Sequence, residues 1–461
     1  MTDARTAALQ YARDHRQQFL EELIEFSKIP SISTDPTYKS DVQRAAEWVA
    51  DRLRKLNIQK VTVYPTAGHP VVYGEYLAAG AGAPTALLYG HYDVQPAEPL
   101  ELWESGAFEP TLRGDYLYAR GASDMKAQLL VLLKSIEAIM QTGKFPVNLK
   151  FLFEGEEEIG SPNLPPFIKA NREMLACDIA VNPDTGMIDP DVPTITYALR
   201  GMAYFEVRLT GPAHDLHSGV FGGVVHNPAQ VLCDLVAGMR DEHGCVTLPG
   251  FYDRVRSLDD EERAELARLP LGEEFYLSQT GVPELWNGEE GYTLVERIGA
   301  RPTLEVNGLL AGYTGPGAKT VLPAQAMAKI SMRLVPDQDP KEVYQQLLAY
   351  MEEKAPKTVK WEISDLVGGP ASISDRHSRY VEAMRRALSA VWEKKPVFKR
   401  EGGSVPVVSH FQEILGIETV NTGFGMLGDN AHGPNEKQNL PNWYRGIDSF
   451  IHFYFNLVDE R

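Results

Sequence analysis

The sequence has few cysteines, no long apolar run and no excess of positive charge, and each absence excludes a class of protein. Its three cysteines, Cys177, Cys233 and Cys245, form no C-x-x-C pair, which argues against a disulfide framework or a thiolate zinc site. No apolar run reaches membrane-spanning length, and the charged N-terminal stretch lacks the apolar core of a signal peptide. We therefore predict a soluble, cytoplasmic protein.

The net charge limits the expected partners, and the chain length sets the expected number of domains. The formal net charge is −18, so neither nucleic acid nor an anionic membrane is expected as a partner. With 461 residues, the chain is too long for one ordinary hydrophobic core, and two or more domains are expected.

The order of the apolar patterns predicts an α/β fold with a second domain inserted into it. Strand patterns at 85–94, 147–155 and 178–184 alternate with helix patterns such as 124–140, which indicates a mostly parallel sheet with helices on both faces. From 196 to 366, long alternating stretches indicate an antiparallel sheet with helices. The predicted domains are 1–195 and 367–461, forming one α/β domain in two parts, and 196–366, an inserted α+β domain.

Residues that carry chemistry follow the predicted strands, where open α/β sheets bind ligands. They are His91 and Asp93 after one strand, Asp124 at the start of a helix, the glutamates of 154–158, Asp184 after another strand, and His432 in a Gly/Asn loop. Taken singly, each has an ordinary structural explanation, such as a helix cap for Asp124, a core histidine for His91 or a turn for Asp184.

Taken together, these residues indicate a metal centre. Several carboxylates at one rim of a sheet repel one another unless cations compensate them. Carboxylates with two histidines and no thiolate suit divalent zinc, manganese or cobalt. One glutamate of the cluster would remain to move protons, and Asp93 would orient the His91 ring.

Nine motifs then occur in a fixed order, and they carry a resemblance over about residues 15–458. They are GHYDVQP, GASDMKAQ, EGEEEIGS, NPDTG, DLHSGVFGG, GPGAKTVLP, SMRLVP, REGGSVP and DNAHGPNE. This series resembles the aminoacylase and carboxypeptidase family of di-metal hydrolases, and within it the branch of cytosolic non-specific dipeptidases and carnosinases.

The resemblance implies two divalent ions per subunit, with zinc the first choice and manganese or cobalt as alternatives. The implied metal ligands are His91, Asp124, Glu158, Asp184 and His432, with Asp124 bridging the two ions. Glu157 resembles the general base of the E-E-x-G-S pattern. The residue types alone do not show which of Glu156, Glu157 and Glu158 is the base. Their spacing from Gly160 and Ser161 in the family pattern points to Glu157.

The resemblance also implies roles in the inserted domain, which would act as a lid and dimerisation domain. His217 would reach the active site of a partner subunit and polarise the substrate carbonyl. Arg333 would bind the substrate carboxylate as a guanidinium fork, and Gly403 and Ser404 would contact substrate. A homodimer through 196–366 is therefore expected.

We predict hydrolysis of dipeptides or short peptides that have a free C-terminal carboxylate. A deacylase of N-acyl amino acids would use the same site and is the main alternative. A serine or cysteine hydrolase is disfavoured because no G-x-S-x-G motif is present. A non-catalytic metal-binding protein is disfavoured because every expected ligand and the base are present.

Overall fold

The computed structural model describes residues 2–459 of the chain. Its α-helices are α1 Thr2–Asp14, α2 Arg16–Ser27, α3 Lys39–Lys55, α4 Ala127–Thr142, α5 Leu164–Ala170, α6 Arg172–Leu175, α7 Ser218–Phe221, α8 Pro228–Gly238, α9 Asp260–Leu266, α10 Glu273–Thr280, α11 Leu294–Gly299, α12 Pro340–Lys354, α13 Arg379–Trp392, α14 Pro406–His410 and α15 Leu440–Asn456. None of the described helices is long and apolar enough to cross a membrane.

The strands follow the same chain order. They are β1 Gln59–Tyr64, β2 Val71–Tyr76, β3 Thr85–His91, β4 Thr111–Arg113, β5 Tyr116–Tyr118, β6 Asn148–Glu154, β7 Ile179–Asn182, β8 Gly186–Met187, β9 Thr194–Leu199, β10 Gly201–Thr210, β11 Leu216–His217, β12 Thr303–Ala311, β13 Val321–Leu322, β14 Gln325–Leu334, β15 Lys360–Gly369, β16 Ser372–Ile373, β17 Val397–Glu401, β18 Thr419–Thr422, β19 Gly425–Met426 and β20 Lys437–Asn439.

The chain divides into two compact units. The first contains the chain as far as Tyr197, Ser374–Lys399 and the chain from Val405 onward. The second contains Ala198–Ile373 and Arg400–Ser404. The observed divisions fall after Tyr197 and after Ile373, two and seven residues beyond the predicted 195/196 and 366/367, and the short segment Arg400–Ser404 also joins the second unit.

The first unit is built on a sheet with the strand order β1-β2-β6-β3-β7-β18-β9, and β17 also pairs with β9. The four strands from β6 to β18 are parallel, whereas β1, β2 and β9 run antiparallel to their neighbours. Every residue of β6 is buried, as expected for a strand covered on both faces. The predicted α/β class is confirmed.

Helix α4 is the most deeply buried helix flanking this sheet, and its start differs from the sequence prediction. Residues from Ala127 to Ile139 are all buried, and the helix packs with α1 and α15. The periodicity predicted a start at Asp124, but Asp124 has extended backbone angles and the helix begins at Ala127. Asp124 therefore lies in an irregular segment before the helix.

The second unit contains an antiparallel sheet with the order β12-β14-β10-β15. Alternate residues of β10 are buried, and they pack with apolar residues of α8 and α12 in one core. The alternating pattern from 196 onward predicted one continuous antiparallel region. The structure interrupts it at Arg200, so β9 pairs with β18 and β10 joins the second sheet.

Candidate metal centre

The parallel strands of the first unit end at one edge of their sheet, and three ends supply polar residues. His91 is the last residue of β3, and it lies in register with Glu154, the last residue of β6. Asp184 comes two residues after β7 ends. This is the edge at which open α/β sheets bind ligands, because the strand ends leave a crevice there.

Two groups of three side chains converge at this edge. The His91 group contains His91, Asp124 and Asp184; the His432 group contains Asp124, Glu158 and His432. In each group, one donor atom per residue lies within 4.8 Å of the others. All five residues belong to the first unit and are the five predicted metal ligands.

Asp124 is shared by the two groups, and its two oxygens face different histidines. Oδ1 lies 3.1 Å from Nε2 of His91, and Oδ2 lies 2.9 Å from Nε2 of His432. Nε2 of His91 also lies 3.8 Å from Asp184, and Nε2 of His432 lies 3.2 Å from Glu158. A carboxylate placed between two donor sets in this way suits a ligand that bridges two ions.

The His91 ring is oriented by Asp93. Nδ1 lies 3.1 Å from the backbone oxygen of Asp93 and 3.4 Å from its carboxylate, so Nδ1 carries the proton that is donated there. In the neutral ring, Nε2 then presents its lone pair toward Asp124 and Asp184. The Asp93 carboxylate also accepts hydrogen bonds from the backbone N–H groups of Glu157 and Glu158, at 3.3 and 3.1 Å.

The four glutamates of 154–158 have different partners. Glu154 accepts hydrogen bonds from the hydroxyls of Tyr89 and Ser161, at 2.8 and 2.9 Å. Glu156 accepts from the backbone N–H of His69 at 2.9 Å and from the Asn163 amide.

Glu157 and Glu158 lie in a short 3₁₀ turn after β6. Glu158 accepts a hydrogen bond of 2.8 Å from Gln95, whereas no hydrogen bond to the Glu157 carboxylate is formed within the described part of the chain. Of these two neighbours, only Glu158 belongs to a three-residue group of candidate ligands.

The pKa values of the carboxylates at this edge reflect burial and crowding. Burial raises the pKa of Glu157 well above its ordinary range, and the Asp184 and Glu158 carboxylates raise it further. Burial raises the pKa of Asp184 to about 7. Burial would also raise the pKa of Asp124, but when the His432 and His91 rings are protonated, the hydrogen bonds that they donate hold it below its ordinary range. Such a cluster requires compensating positive charge.

The chemistry of the donors fits divalent metal ions. The two groups offer imidazole nitrogens and carboxylate oxygens, and the described cysteines lie outside both groups. Three protein ligands in each group would leave coordination positions for water or substrate, as in catalytic metal sites. Mixed nitrogen and oxygen donors suit zinc, manganese and cobalt.

Two residues of this edge were not among the predicted site residues. Gln95, whose side chain donates a hydrogen bond to Glu158, is the last residue but one of the motif GHYDVQP, from which only His91 and Asp93 were selected. Glu436 ends the motif DNAHGPNE and accepts a hydrogen bond of 3.0 Å from the backbone N–H of Asp124. Both positions lay within selected motifs, but their partners are distant in sequence.

The remaining predicted site residues belong to the second unit. Arg333 on β14 donates a hydrogen bond of 3.0 Å from Nη1 to Oγ of Ser404. The backbone oxygen of Gly403 accepts from the N–H of Arg200 at 3.2 Å. Arg333, Gly403 and Ser404, which are far apart in sequence, therefore meet in one region of the second unit.

His217 ends the short strand β11, which pairs with β13, and its side chain is exposed. Nδ1 accepts a hydrogen bond of 2.9 Å from the backbone N–H of Gly219. The proton of the neutral ring is therefore on Nε2, which is left available as a donor.

Comparison with known proteins decides the family. A sequence model of peptidase family M20/M25/M40 matches residues 87–456. The chain belongs to this peptidase family. The predicted resemblance and the predicted class, a metallopeptidase-type hydrolase, are confirmed.

Similar proteins cover nearly the whole chain. The Cys-Gly metallodipeptidase DUG1 of Candida albicans is 30% identical over 465 residues, which cover 95% of each chain. The human Beta-Ala-His dipeptidase is 30% identical, with 97% of this chain and 92% of the human protein covered. The crystal structure of the M20 family metallo-carboxypeptidase Sso-CP2 from Sulfolobus solfataricus has a TM-score of 0.83 at 34% identity, with 95% and 99% coverage.

Proposed function

We propose that the protein is a dinuclear metallopeptidase that hydrolyses dipeptides or short peptides with a free C-terminal carboxylate. The observation that carries the proposal is the pair of three-residue groups that share Asp124. Similar proteins that are named as dipeptidases for Cys-Gly and Beta-Ala-His support the substrate class.

The His91 group would hold one ion and the His432 group the other, with Asp124 between them. Two divalent ions bound there would supply Lewis acidity, which lowers the pKa of a water molecule and polarises a carbonyl group. We take zinc as the physiological metal, with manganese and cobalt as alternatives, because all three suit these donors.

Glu157 is assigned as the general base. Its carboxylate takes a proton from the water as the water oxygen bonds to the peptide carbonyl carbon. It then gives that proton to the nitrogen of the leaving amine as the carbon–nitrogen bond breaks. It lies beside the ligand Glu158, and no residue of the range 2–459 donates a hydrogen bond to its carboxylate, which leaves it available for both transfers.

Asp93 supports this chemistry by positioning groups on two sides. It fixes the proton of the His91 ring on Nδ1, and it holds the backbone N–H groups of Glu157 and Glu158. The base and the ligand therefore keep their relative positions while the base changes its protonation state.

Four residues of the second unit are assigned to substrate binding. Arg333 would bind the substrate carboxylate, with Ser404 and Gly403 beside it. A guanidinium suits a carboxylate, and within residues 2–459 the Arg333 side chain donates only to the Ser404 hydroxyl. His217 would donate from Nε2 to the carbonyl oxygen as negative charge develops there.

The test is a release assay on dipeptides and N-acyl amino acids, with chelated protein reconstituted with zinc, manganese or cobalt in turn. We expect no hydrolysis after chelation, recovery with at least one metal, and faster turnover of dipeptides. Full activity in metal-free protein would contradict the proposal. Preferred release from N-acyl amino acids would instead support the deacylase alternative, which uses the same metal site.

We also propose a homodimer formed through residues 196–366, with His217 acting in the partner's active site. Support comes from the edge strand β12, which exposes Val306, Leu309 and Leu310, with Leu310 56% exposed. An exposed apolar edge strand is suited to pairing across a two-fold axis.

Subunit exchange tests this assembly. A mixture of the inactive variants Glu157→Gln and His217→Ala should regain activity, because one of the two sites in each heterodimer has both residues intact. Up to about half of the heterodimer sites should recover. Exchange without recovery would mean that His217 does not act across subunits.

A cytoplasmic location completes the proposal. The cysteines Cys177, Cys233 and Cys245 are all free, as is usual in a reducing compartment. Fractionation of cells that produce the untagged protein checks this location, and recovery only outside the cytoplasm would contradict it.

A further inference from the structure

Glu436 has an unusually complete set of hydrogen-bond donors around a fully buried carboxylate. Oε2 accepts from Nη1 of Arg120 at 2.7 Å and from the backbone N–H of Gly121 at 2.8 Å. Oε1 accepts from the backbone N–H groups of Ser123 at 2.9 Å and Asp124 at 3.0 Å. Three of the four donors are therefore backbone groups of one short segment.

That segment ends at Asp124, the residue shared by the two candidate ligand groups. Asp124 has extended backbone angles, and α4 begins only at Ala127, so helical hydrogen bonding does not fix its position. Its backbone N–H is satisfied by Glu436. The Glu436 carboxylate thus supplies a restraint that the secondary structure does not provide.

Glu436 also belongs to the loop that carries His432, four residues earlier. At the other end of that loop, Asp429 accepts a hydrogen bond of 3.2 Å from Oγ of Ser123. The loop is therefore attached to the segment before Asp124 on both sides of His432. These attachments hold the Asp124 carboxylate next to the imidazole, at 2.9 Å from Nε2.

We propose that Glu436 is a positioning residue that sets the place of the Asp124 carboxylate and, through it, the affinity of both metal-binding groups. This inference rests on the proposed dinuclear centre. A purely structural role, in which Glu436 only neutralises the buried Arg120, would require one ion pair and none of the three backbone N–H bonds.

The variant Glu436→Gln separates these roles. Its side chain keeps nearly the same shape, but its amide group presents hydrogens to one of the two donor pairs, so two of the four hydrogen bonds are lost. Loss of a group that orients a metal ligand typically lowers metal affinity about 10–100-fold. Because Asp124 is shared, both ions should bind more weakly, whereas Glu158→Gln should weaken one.

The experiment is a titration of chelated full-length protein with zinc, and separately with manganese, in a metal buffer, with bound metal counted by mass spectrometry. Thermal melting of each metal-free variant is measured alongside. Glu289→Gln is the matched control, since Glu289 is also a buried carboxylate paired with an arginine, Arg301 in the second unit. If Glu436→Gln does not fold, the variant Glu436→Asp replaces it in the experiment. Aspartate retains the charge but is one methylene shorter.

We expect the Glu436 variant to lose affinity for both ions about 10–100-fold and the Glu289 variant to keep both. Unchanged affinity for both ions in a folded Glu436 variant, with only a lower melting temperature, would overturn the inference while leaving the dinuclear centre intact. A wild-type protein that binds fewer than two ions would overturn the proposed function and this inference together.

Discussion

The variant Glu157→Gln tests the assigned mechanism at its central step. No hydrogen bond to the Glu157 carboxylate is formed within residues 2–459, so replacing one oxygen by an amide group breaks none. The change also replaces an ionisable group that lies among the carboxylates of Asp184, Glu158 and Asp124 by a neutral one, which reduces their mutual repulsion. We therefore expect the folded protein and its metal content to be preserved or slightly stabilised.

The loss should fall on turnover. Glutamine is nearly isosteric with glutamate but does not accept a proton, and loss of a general base typically costs a factor of about 10²–10⁴. That factor corresponds to about 2.7–5.4 kcal/mol in the activation free energy. A base that serves in two proton transfers belongs at the upper end of this range.

Glu158→Gln is the matched control, because it makes the same chemical change one residue away. Glu158 lies 3.2 Å from His432 and accepts a hydrogen bond from Gln95, so the substitution removes a member of the His432 group. Metal content should fall from two ions toward one, and activity should recover in part at high metal concentration.

The assay combines kcat and KM for a dipeptide with metal content by mass spectrometry on the same preparations. The assignment of Glu157 as base and Glu158 as ligand is refuted if Glu157→Gln loses metal while Glu158→Gln keeps it, since the two roles would then be exchanged. It is also refuted if Glu157→Gln retains both metals and turns over within about tenfold of wild type.

Three further predictions follow from other contacts. Gln95→Ala should weaken the ion of the His432 group about tenfold in a metal titration, because Glu158 loses its 2.8 Å hydrogen bond. Arg333→Met should raise KM about 10–100-fold for dipeptides with a free carboxylate and leave C-terminally amidated peptides unchanged, because a charged hydrogen bond is worth about 1.5–3 kcal/mol. Burial raises the pKa of Asp448 to about 6, so the folded state holds this proton more tightly than the unfolded state, and stability falls as the pH rises from about 4 to 6. Asp448→Asn should therefore increase the free energy of unfolding at pH 8 by up to about 3 kcal/mol, and with it the melting temperature. At pH 3.5 the melting temperature should not rise.

Much of the fold could be predicted from apolar periodicity, because that signal is local. The buried strands β3 and β6 and the alternating strand β10 each matched a pattern in the sequence. The start of α4, by contrast, did not match the pattern in the sequence. The apolar pattern continues back to Asp124, but the Asp124 N–H bonds Glu436, 312 residues away, and no local pattern records such a partner.

The candidate site also combines positions that the sequence predicts with positions that it does not. The five ligand positions were implied by the family resemblance of motifs at strand ends, at a helix start and in a loop, and the structure gathers them into two groups. Gln95 and Glu436 were missed, since a glutamine after a strand and a glutamate in a loop have no distinctive pattern. Their importance is visible only from the distances to Glu158 and Asp124.

The glutamate cluster shows how environment assigns roles that composition does not. Glu154 and Glu156 are held by neutral donors from Tyr89, Ser161, His69 and Asn163, which fixes the turn after β6. Glu158 is held by Gln95 and faces His432. Among the four, only the carboxylate of Glu157 accepts no hydrogen bond in the described part of the chain. A carboxylate fixed by donors exchanges its proton at the cost of those bonds, whereas Glu157 has none to lose, so it is the member of the cluster best suited to carry a proton between water and the leaving amine.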